Sequence, residues 1–182
     1  MSTTLTPTQK KIDEAIYKVP DFPKPGILFY DITSIFTQPQ AFALVMQEMG
    51  RLYQNQSIDG VIAIESRGFL LAAPFALERQ IPLVLARKKG KLPRKTTACS
   101  YSLEYGEATL EIHIEDLTPG KRWLIVDDLI ATGGTLEAVC KMVEAHKASV
   151  AGIFSIVGLP FLNYEQKIGR YSPQTLINYD SE

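Results

Sequence analysis

The chain has 182 residues, 46% of them hydrophobic and 21% charged, and its formal net charge at pH 7 is −1. This length and composition fit one soluble globular domain with a substantial core. The small net charge indicates no nucleic-acid or membrane surface that acts through bulk electrostatics. No apolar run approaches the ~20 residues of a membrane span.

The cysteines, the histidines and the N-terminal residues bear on location and metal binding. Cys99 and Cys140 are too few for a disulfide framework, and the N-terminal MSTTLTPTQKK lacks the apolar segment of a secretory signal. We therefore expect a cytoplasmic protein with reduced thiols. His113 and His146 lie far apart in sequence and indicate no metal cluster, and we expect both to be structural or solvent-facing.

The first predicted element is a helix over residues 9–19, whose apolar residues recur at helical spacing and which Pro20 ends. Phe22–Asp31 follows, and its two prolines and one glycine predict an extended, turning loop. The loop carries an apolar run, ILFY, at residues 27–30. This run either packs onto the core or forms a flat apolar shelf for an aromatic base.

Helices and buried strands then alternate. A helix is expected over Gln40–Gln54, and short apolar runs predict strands over Asp59–Glu65 and Ile81–Ala86. A second helix should run from near Gly68 to Arg79. Its expected inward-facing residues are Phe69, Leu70, Ala73 and Leu77.

Polar segments follow both of these strands. Glu65-Ser66-Arg67 lies where α/β sheets place ligand groups, although Arg67 is equally typical of a surface arginine. The basic run Arg87–Lys91 directly follows Ile81–Ala86. It forms either a solvated face or a cationic site that neutralises a pyrophosphate.

A polar, hydroxyl-rich segment, Pro93–Gly106, is predicted to be a loop, and loops of this length are usually functional or disordered. By composition alone, Glu104 within it is typical of an exposed carboxylate. Thr109–Ile114 alternates between apolar and polar residues, which predicts a half-exposed strand that pairs back with this segment.

The stretch Arg122–Thr135, RWLIVDDLIATGGT, combines a short strand, a small-residue loop and a helix. The apolar residues 123–126 predict a buried strand, and apolar residues at helical spacing from Leu136 predict the helix. Asp127 and Asp128 come where the strand ends. We interpret this order as a phosphate site joined to a hydroxyl-binding site.

The small residues of this stretch suit a phosphate. Gly133 and Gly134 let backbone N–H groups point inward, the helix adds the positive end of its dipole, and Thr132 and Thr135 add hydroxyl donors. The two preceding carboxylates accept hydrogen bonds from sugar hydroxyls. Ribose 5-phosphate satisfies both halves. Two glycines alone would be equally typical of a structural strand–helix turn.

A further buried strand is expected over Ser149–Leu159, and no motif is evident beyond it. Alternating short strands and helices with ligand loops at strand ends predict the α/β class, with a parallel sheet flanked by helices on both faces.

Four segments resemble the phosphoribosyltransferases in that family's order: Phe22–Asp31, Glu65–Phe69, Ser100–Gly106 and the signature Val126–Thr135. The first segment and the LEYG of the third favour the adenine-specific members. The resemblance implies the type I phosphoribosyltransferase fold. It also implies one domain over residues 1–182, with an N-terminal hood (1–34) over the base site and an α/β core (35–182) that carries a mobile flap (93–114).

The resemblance also implies roles for individual residues. Glu104 is the implied acid/base at the purine, and a non-proline cis peptide is expected between Glu65 and Ser66. The implied adenine-binding residues are Leu28, through its backbone, Phe29, by stacking, and Arg67. The implied pyrophosphate-binding residues are Ser66, Arg67, Arg87, Lys88 and Lys91. The implied ribose-phosphate residues are Asp127, Asp128, Ala131, Thr132, Gly133, Gly134 and Thr135.

The implied reaction converts adenine and phosphoribosyl pyrophosphate to AMP and pyrophosphate, with Mg²⁺ held mainly by the substrate rather than by a protein site. The basic run often reaches across a dimer interface in the family, so we expect a homodimer. Two alternatives stay open: a regulatory protein that senses phosphoribosyl pyrophosphate, and a transferase for another base such as hypoxanthine or orotate. Tyr30 stands where many members of the family have arginine.

Overall fold

The computed structural model describes residues 5–102 and 107–180. Within them the helices are α1 (Pro7–Ala15), α2 (Thr33–Phe36), α3 (Pro39–Tyr53), α4 (Gly68–Arg79), α5 (Gly134–Ala145) and α6 (Glu165–Ile168). The strands are β1 (Tyr17–Pro20), β2 (Leu28–Asp31), β3 (Gly60–Ile64), β4 (Leu83–Lys88), β5 (Thr96–Ser102), β6 (Glu107–His113), β7 (Arg122–Val126), β8 (Leu129–Ile130), β9 (Ser149–Gly158) and β10 (Pro173–Asn178).

An eight-stranded sheet forms the centre, in the order β10-β9-β7-β3-β4-β6-β5, with β8 also paired to β9. The pairs from β10 to β4 are parallel, whereas β6 is antiparallel to both β4 and β5. The predicted α/β fold with a central sheet flanked by helices is confirmed. The sheet is mixed rather than wholly parallel, because the segment predicted as a loop contributes a strand.

That correction concerns Pro93–Gly106, most of whose described part is β5. Thr97, Cys99 and Tyr101 are half-buried while the residues between them are exposed, which is the alternation of a strand with one covered face. Cys99 and Tyr101 pack against the core on the α5 side. The predicted pairing of the following strand with this segment is confirmed.

The sheet separates two apolar cores. Val61 and Ala63 of β3 face a core formed with α1, α3 and α4, whereas Ile62 and Ile64 face a core formed with α5. All five residues of β3 are buried, as expected for a central parallel strand. None of the helices in residues 5–102 and 107–180 is long and apolar enough to cross a membrane.

The predicted inward face of α4 is largely wrong. Leu70 is 48% exposed and Leu77 is 81% exposed, and Ala73 is also exposed, whereas Phe69 packs against the first core. The fully covered residues are Leu71, Ala72, Phe75 and Ala76. Apolar residues lie on several sides of this helix, so its sequence pattern does not decide which side is buried.

The N-terminal region also differs from its prediction. The helix ends at Ala15, and β1 pairs antiparallel with β2, so that part of the expected loop is a hairpin strand. The hairpin tip contains a cis peptide between Phe22 and Pro23 and two residues of positive φ, Asp21 and Gly26. Val19 pairs with Phe29, because β-branched and aromatic residues favour such cross-strand contacts.

Candidate active site

A cleft of about 310 Å³ lies at the carboxyl ends of the neighbouring strands β4, β3 and β7. Its lining residues are Ile64, Glu65, Ser66, Arg67, Lys88, Tyr101, Asp127, Asp128, Leu129 and Thr135. A smaller cavity shares Asp127, Leu129 and Thr135 with it and is otherwise lined by residues 130–134 and 136. The two cavities therefore form one continuous site where parallel strands end, which is the usual ligand position in α/β sheets.

The turn from β7 to α5 forms the floor of the smaller cavity. Gly133, at φ +76°, occupies the position before the first residue of α5, and a Cβ added there would lie 3.2 Å from Tyr164 Cβ. Within residues 5–102 and 107–180, no side chain makes a capping hydrogen bond at this helix start. The N–H groups of the first turn have no partner within the helix, so this terminus offers donors and a positive dipole end to an anion.

Two carboxylates lie between that helix terminus and the cleft. Asp128 is 3% exposed, and its Oδ2 lies 2.6 Å from Nε of Arg67. Asp127 is half-buried, and its Oδ1 accepts a hydrogen bond from the Asp128 backbone N–H at 2.9 Å. Burial and the neighbouring negative charge of Asp128 raise the pKa of Asp127 well above its usual range.

Among the described residues, no group satisfies hydrogen-bond geometry with Asp128 Oδ2, so the Arg67–Asp128 contact is an ion pair without a well-aligned hydrogen bond. The carboxylate therefore keeps acceptor capacity in a nearly dry position. Such a group favours a ligand that donates hydroxyl hydrogens.

A close approach of backbones brings Arg67 to this carboxylate. A Cβ added to Gly68 would lie 2.5 Å from the Val126 carbonyl oxygen, so only glycine lets α4 begin this close to the end of β7. The peptide bond between Glu65 and Ser66 is cis, as predicted. Ser66 and Arg67, in the turn from β3 to α4, both line the cleft.

Glu65 lines the cleft, and the sequence alone predicts no role for its side chain. Its Oε2 accepts the backbone N–H of Lys88 at 3.0 Å and lies 3.3 Å from Nε of Arg87. The Lys88 N–H and the Arg87 guanidinium hold the pKa of Glu65 below its ordinary value. Its position at a strand end, directly before Ser66, was the available sequence signal.

The residues of the basic run Arg87–Lys91 have different positions in the fold. Arg87 and Lys88 are the last residues of β4 rather than residues beyond it. Lys88 lines the cleft, whereas Arg87 pairs with Glu65 and also donates to the Lys91 carbonyl at 3.3 Å. Neither Arg87 nor Lys91 is a lining residue.

Of the three predicted base-binding residues, Leu28 and Phe29 lie on the hairpin, whereas Arg67 lines the cleft at the start of α4. Leu28 and Phe29 are half-buried and do not line the cleft. Leu28 packs against the first core, and the Phe29 ring contacts the edge of Phe22 at a centroid distance of 5.0 Å. The predicted catalytic residue, Glu104, lies outside the described residues.

The remaining predicted residues are brought together. Ser66, Arg67, Lys88, Asp127, Asp128 and Thr135 line the cleft, and Ala131, Thr132, Gly133, Gly134 and Thr135 line the smaller cavity. Tyr101 also lines the cleft, although the sequence argument placed it only in a loop. In the part of the chain that the structure describes, no group of three or more His, Cys, Asp or Glu residues could hold a metal ion.

Comparison with known proteins decides the family. The phosphoribosyl transferase domain family matches residues 31–174. An adenine phosphoribosyltransferase from Treponema denticola is 53% identical over 173 residues, which span 95% of this chain and 91% of the relative. The chain belongs to the adenine phosphoribosyltransferase family. This confirms the family that the four sequence segments predict.

Solved structures of the same family share the fold. The adenine phosphoribosyltransferase from Thermoanaerobacter pseudethanolicus superposes with a TM-score of 0.89 at 39% identity, over 94% of this chain and 99% of that one. The Saccharomyces cerevisiae enzyme, in complex with adenine and an imino-altritol bisphosphate, gives a TM-score of 0.87 at 32% identity, over 93% and 98%. The predicted type I phosphoribosyltransferase fold is therefore confirmed.

Proposed function

We propose that this protein transfers the 5-phosphoribosyl group of phosphoribosyl pyrophosphate to adenine, which gives AMP and pyrophosphate in purine salvage. The observation that carries the proposal is the juxtaposition of Asp127 and Asp128 with the start of α5, where the capping position is Gly133, in one continuous site. That arrangement fits a sugar diol beside a phosphate. Membership of the adenine phosphoribosyltransferase family supports adenine as the base and this transfer as the reaction.

In this proposal the turn from β7 to α5 binds the ribose 5-phosphate. Backbone N–H groups near Gly133 and Gly134, with the hydroxyls of Thr132 and Thr135, donate to the phosphate. Asp127 and Asp128 accept from the ribose hydroxyls. Their negative charge also stabilises the ribose ring, which becomes positive as its bond to pyrophosphate breaks.

Other lining residues of the cleft suit the leaving group. Ser66, Arg67 and Lys88 offer a hydroxyl and two cations to the pyrophosphate oxygens, which take the electron pair of the broken bond. Arg87 and Lys91 remain proposed pyrophosphate ligands by resemblance. Arg87 would first have to exchange its contact with Glu65.

Mg²⁺ is part of this proposal as an ion held mainly by phosphoribosyl pyrophosphate. The donor set fits, because the cleft contains two adjacent carboxylates, and Mg²⁺ usually combines one or two carboxylates with substrate phosphates. Asp127 and Asp128 would contact the ion or its waters. When bound, Mg²⁺ supplies charge neutralisation at the leaving pyrophosphate.

Adenine binding and proton transfer are assigned in this proposal to the hairpin and to Glu104. We propose that the Leu28 backbone reads the edge of adenine and that Phe29 stacks on its ring, with Arg67 close by. A purine nitrogen attacks the ribose C1, and Glu104 accepts the proton that this nitrogen releases. Pyrophosphate leaves from the opposite side.

We also propose that two copies pair through α4 and β4. Leu77 and Leu83 are 81% and 37% exposed, and within the described residues Leu83–Ala86 has no strand on the side of β4 away from β3. A second copy would cover this apolar face and open edge. Analytical ultracentrifugation tests it: the wild type should be a dimer that Leu77→Glu dissociates, and a monomeric wild type would contradict the pairing.

A cytoplasmic location stays a prediction that the free thiols Cys99 and Cys140 support.

Base selectivity tests the proposed function. Turnover with phosphoribosyl pyrophosphate is measured for adenine, hypoxanthine, guanine and orotate. We expect adenine to be preferred, because hypoxanthine reverses the donor–acceptor pattern and leaves buried groups unmatched, at about 1–3 kcal/mol for each. Comparable turnover of hypoxanthine would contradict an adenine-specific enzyme, and no turnover of any base would favour a sensor.

Glu104→Gln separates the enzyme from a sensor more directly. The change keeps the size of the side chain but removes its titrating proton, so turnover should fall by about 10²- to 10⁴-fold. The affinity for phosphoribosyl pyrophosphate should change little. Wild-type turnover in this variant would assign the proton to another group.

A further inference from the structure

Tyr30, which stands where many members of the family have arginine, stacks on Tyr179 from the other end of the chain. Its ring is parallel to that of Tyr179, with 3.8 Å between the centroids and 6° between the planes. Tyr30 is 8% exposed, and Tyr179 directly follows β10 by one residue. The stack therefore joins the hairpin to the last strand of the sheet.

The two faces of the hairpin have different contacts. Directly paired residues share a face, so Lys18 and Tyr30 lie on one face and Val19 and Phe29 on the other. Lys18 Nζ lies 5.6 Å from the Tyr179 ring centroid, which places Tyr179 against the first of these faces. Phe29, the proposed stacking partner of adenine, is on the opposite face.

Polar contacts hold Tyr179 in this position. Its hydroxyl donates to Oδ1 of Asp13 in α1 at 2.5 Å, and Lys18 Nζ lies 2.9 Å from the same oxygen. Burial and the nearby charge of Asp13 raise the pKa of Tyr179, so the phenol stays protonated and remains a donor. Gln9 of α1 also donates to the Leu176 carbonyl at 2.8 Å.

Tyr179 is connected to the ribose-phosphate half of the site as well. Its backbone N–H donates to the Gly158 carbonyl at 3.1 Å. Gly158 ends β9 and pairs with Ile130 of β8, which belongs to the turn that carries Asp127 and Asp128. One residue thus contacts the hairpin through its ring and the end of β9 through its backbone.

We propose that Tyr179 is a positioning residue, which sets the base-binding hairpin relative to the ribose-phosphate turn through its stack on Tyr30. The ring acts on Phe29 through the β2 backbone and touches no substrate. This inference rests on the proposed function, since it takes the hairpin to be the adenine site.

Two substitutions at Tyr179 test the role of the ring. Tyr179→Leu removes the stack, whereas Tyr179→Phe keeps the stack and loses only the hydroxyl contact with Asp13. We expect Tyr179→Leu to raise the KM for adenine by about 3- to 10-fold, the range that an aromatic pair contributes. The KM for phosphoribosyl pyrophosphate should change by less than about twofold, because the substitution leaves the residues of the β7–α5 turn and their contacts with one another unchanged. Tyr179→Phe should raise the adenine KM by less than Tyr179→Leu does, because the stack is retained and only the hydroxyl contact is lost.

Tyr53→Phe is the matched control for lost stability. Tyr53 is fully buried in the first core and donates to the Ile153 carbonyl, in the middle of β9, at 2.9 Å. It should lower Tm without a selective change in the adenine KM. If Tyr179→Leu does not fold, Tyr179→Met fills the same space without a ring and takes its place.

Three results would overturn the inference: an unchanged adenine KM in the ring-less variant, an equal rise in both KM values, or the same rise in Tyr179→Phe as in Tyr179→Leu. The wild type is assayed in parallel on the four bases. A wild type that prefers another base contradicts the proposed function, and the same KM comparison with that base then decides the role of Tyr179.

Discussion

The turn proposed to bind ribose 5-phosphate, residues 126–135, belongs to one strand–helix unit, whereas the β1–β2 hairpin packs against Tyr179 from the far end of the chain. In the turn, the Asp127 carboxylate, the Gly133 conformation and the start of α5 are all set within a few residues of one another. The hairpin, in contrast, contacts the residue after β10 through the Tyr30–Tyr179 stack, and Tyr179 is itself bound to Asp13 of α1 by a hydrogen bond between residues 166 positions apart.

This difference explains why one half of the site could be recognised from a short motif. A helix start that binds an anion requires small residues, hydroxyls and a preceding strand in one order, so its sequence is constrained locally. A hairpin face that packs on a distant tyrosine is constrained by a partner that a motif does not include. The sequence near Tyr30 therefore does not explain this residue, whose stacking partner lies 149 positions further along the chain.

The largest expected effect comes from removing the two carboxylates of the β7–α5 turn. Asp127→Asn combined with Asp128→Asn should lower kcat/KM by about 10²- to 10⁴-fold, since hydrogen bonds to charged groups contribute about 1.5–3 kcal/mol each. Steady-state kinetics and circular dichroism check activity and fold. The matched control is Glu48→Gln with Glu144→Gln, which removes two carboxylates outside the cleft. Wild-type activity in the folded aspartate variant would exclude these residues from the mechanism.

Gly68→Ala should have the next largest effect, because its Cβ would lie 2.5 Å from the Val126 carbonyl and force α4 away from β7. We expect a loss of about 1–3 kcal/mol in the free energy of unfolding and weaker binding of phosphoribosyl pyrophosphate as Arg67 separates from Asp128. Denaturant unfolding and KM measurements test both. Gly50→Ala in α3, where nothing lies within 4 Å of the added Cβ, is the control and should not destabilise. A neutral Gly68→Ala would contradict the close approach.

Tyr30→Arg sharpens the comparison from the hairpin side. A guanidinium stacks on aromatic faces and would lie near Asp13, so it can replace the tyrosine ring against Tyr179. We expect the adenine KM to stay within about threefold of the wild type, whereas Tyr30→Leu should raise it by about 3- to 10-fold. Equal effects of arginine and leucine would show that stacking on Tyr179 is not what this position supplies.

The smallest expected effect is a stability gain with a defined pH dependence. An acid whose pKa is raised in the folded state stabilises the fold below its unfolded-state pKa, and this contribution is lost as the pH rises toward the folded-state pKa. Asp127→Asn removes the buried charge, so at pH 8 it should raise Tm by about 2–4 °C, which corresponds to ~1 kcal/mol for a chain of this size. The gain should shrink toward pH 4. A gain that grows on acidification would contradict the raised pKa of Asp127.

The sequence by itself determined the parts of this protein whose chemistry is local. Apolar runs specified β3, β7 and β9 within one or two residues, and the order of acids, glycines and threonines specified the β7–α5 turn. The buried strands follow from continuous apolar runs, and the turn follows from the φ value and the donors that an anion site requires.

Only the tertiary structure decided which apolar face of α4 is buried, that residues 96–102 pair as a strand, and that Tyr30 stacks on Tyr179. Each of these depends on a surface contributed by a distant part of the chain: the β7 backbone against Gly68, α5 against β5, and the residue after β10 against the hairpin. Contacts of this kind leave no period or motif in either partner alone, because the packing of both partners together selects the conformation.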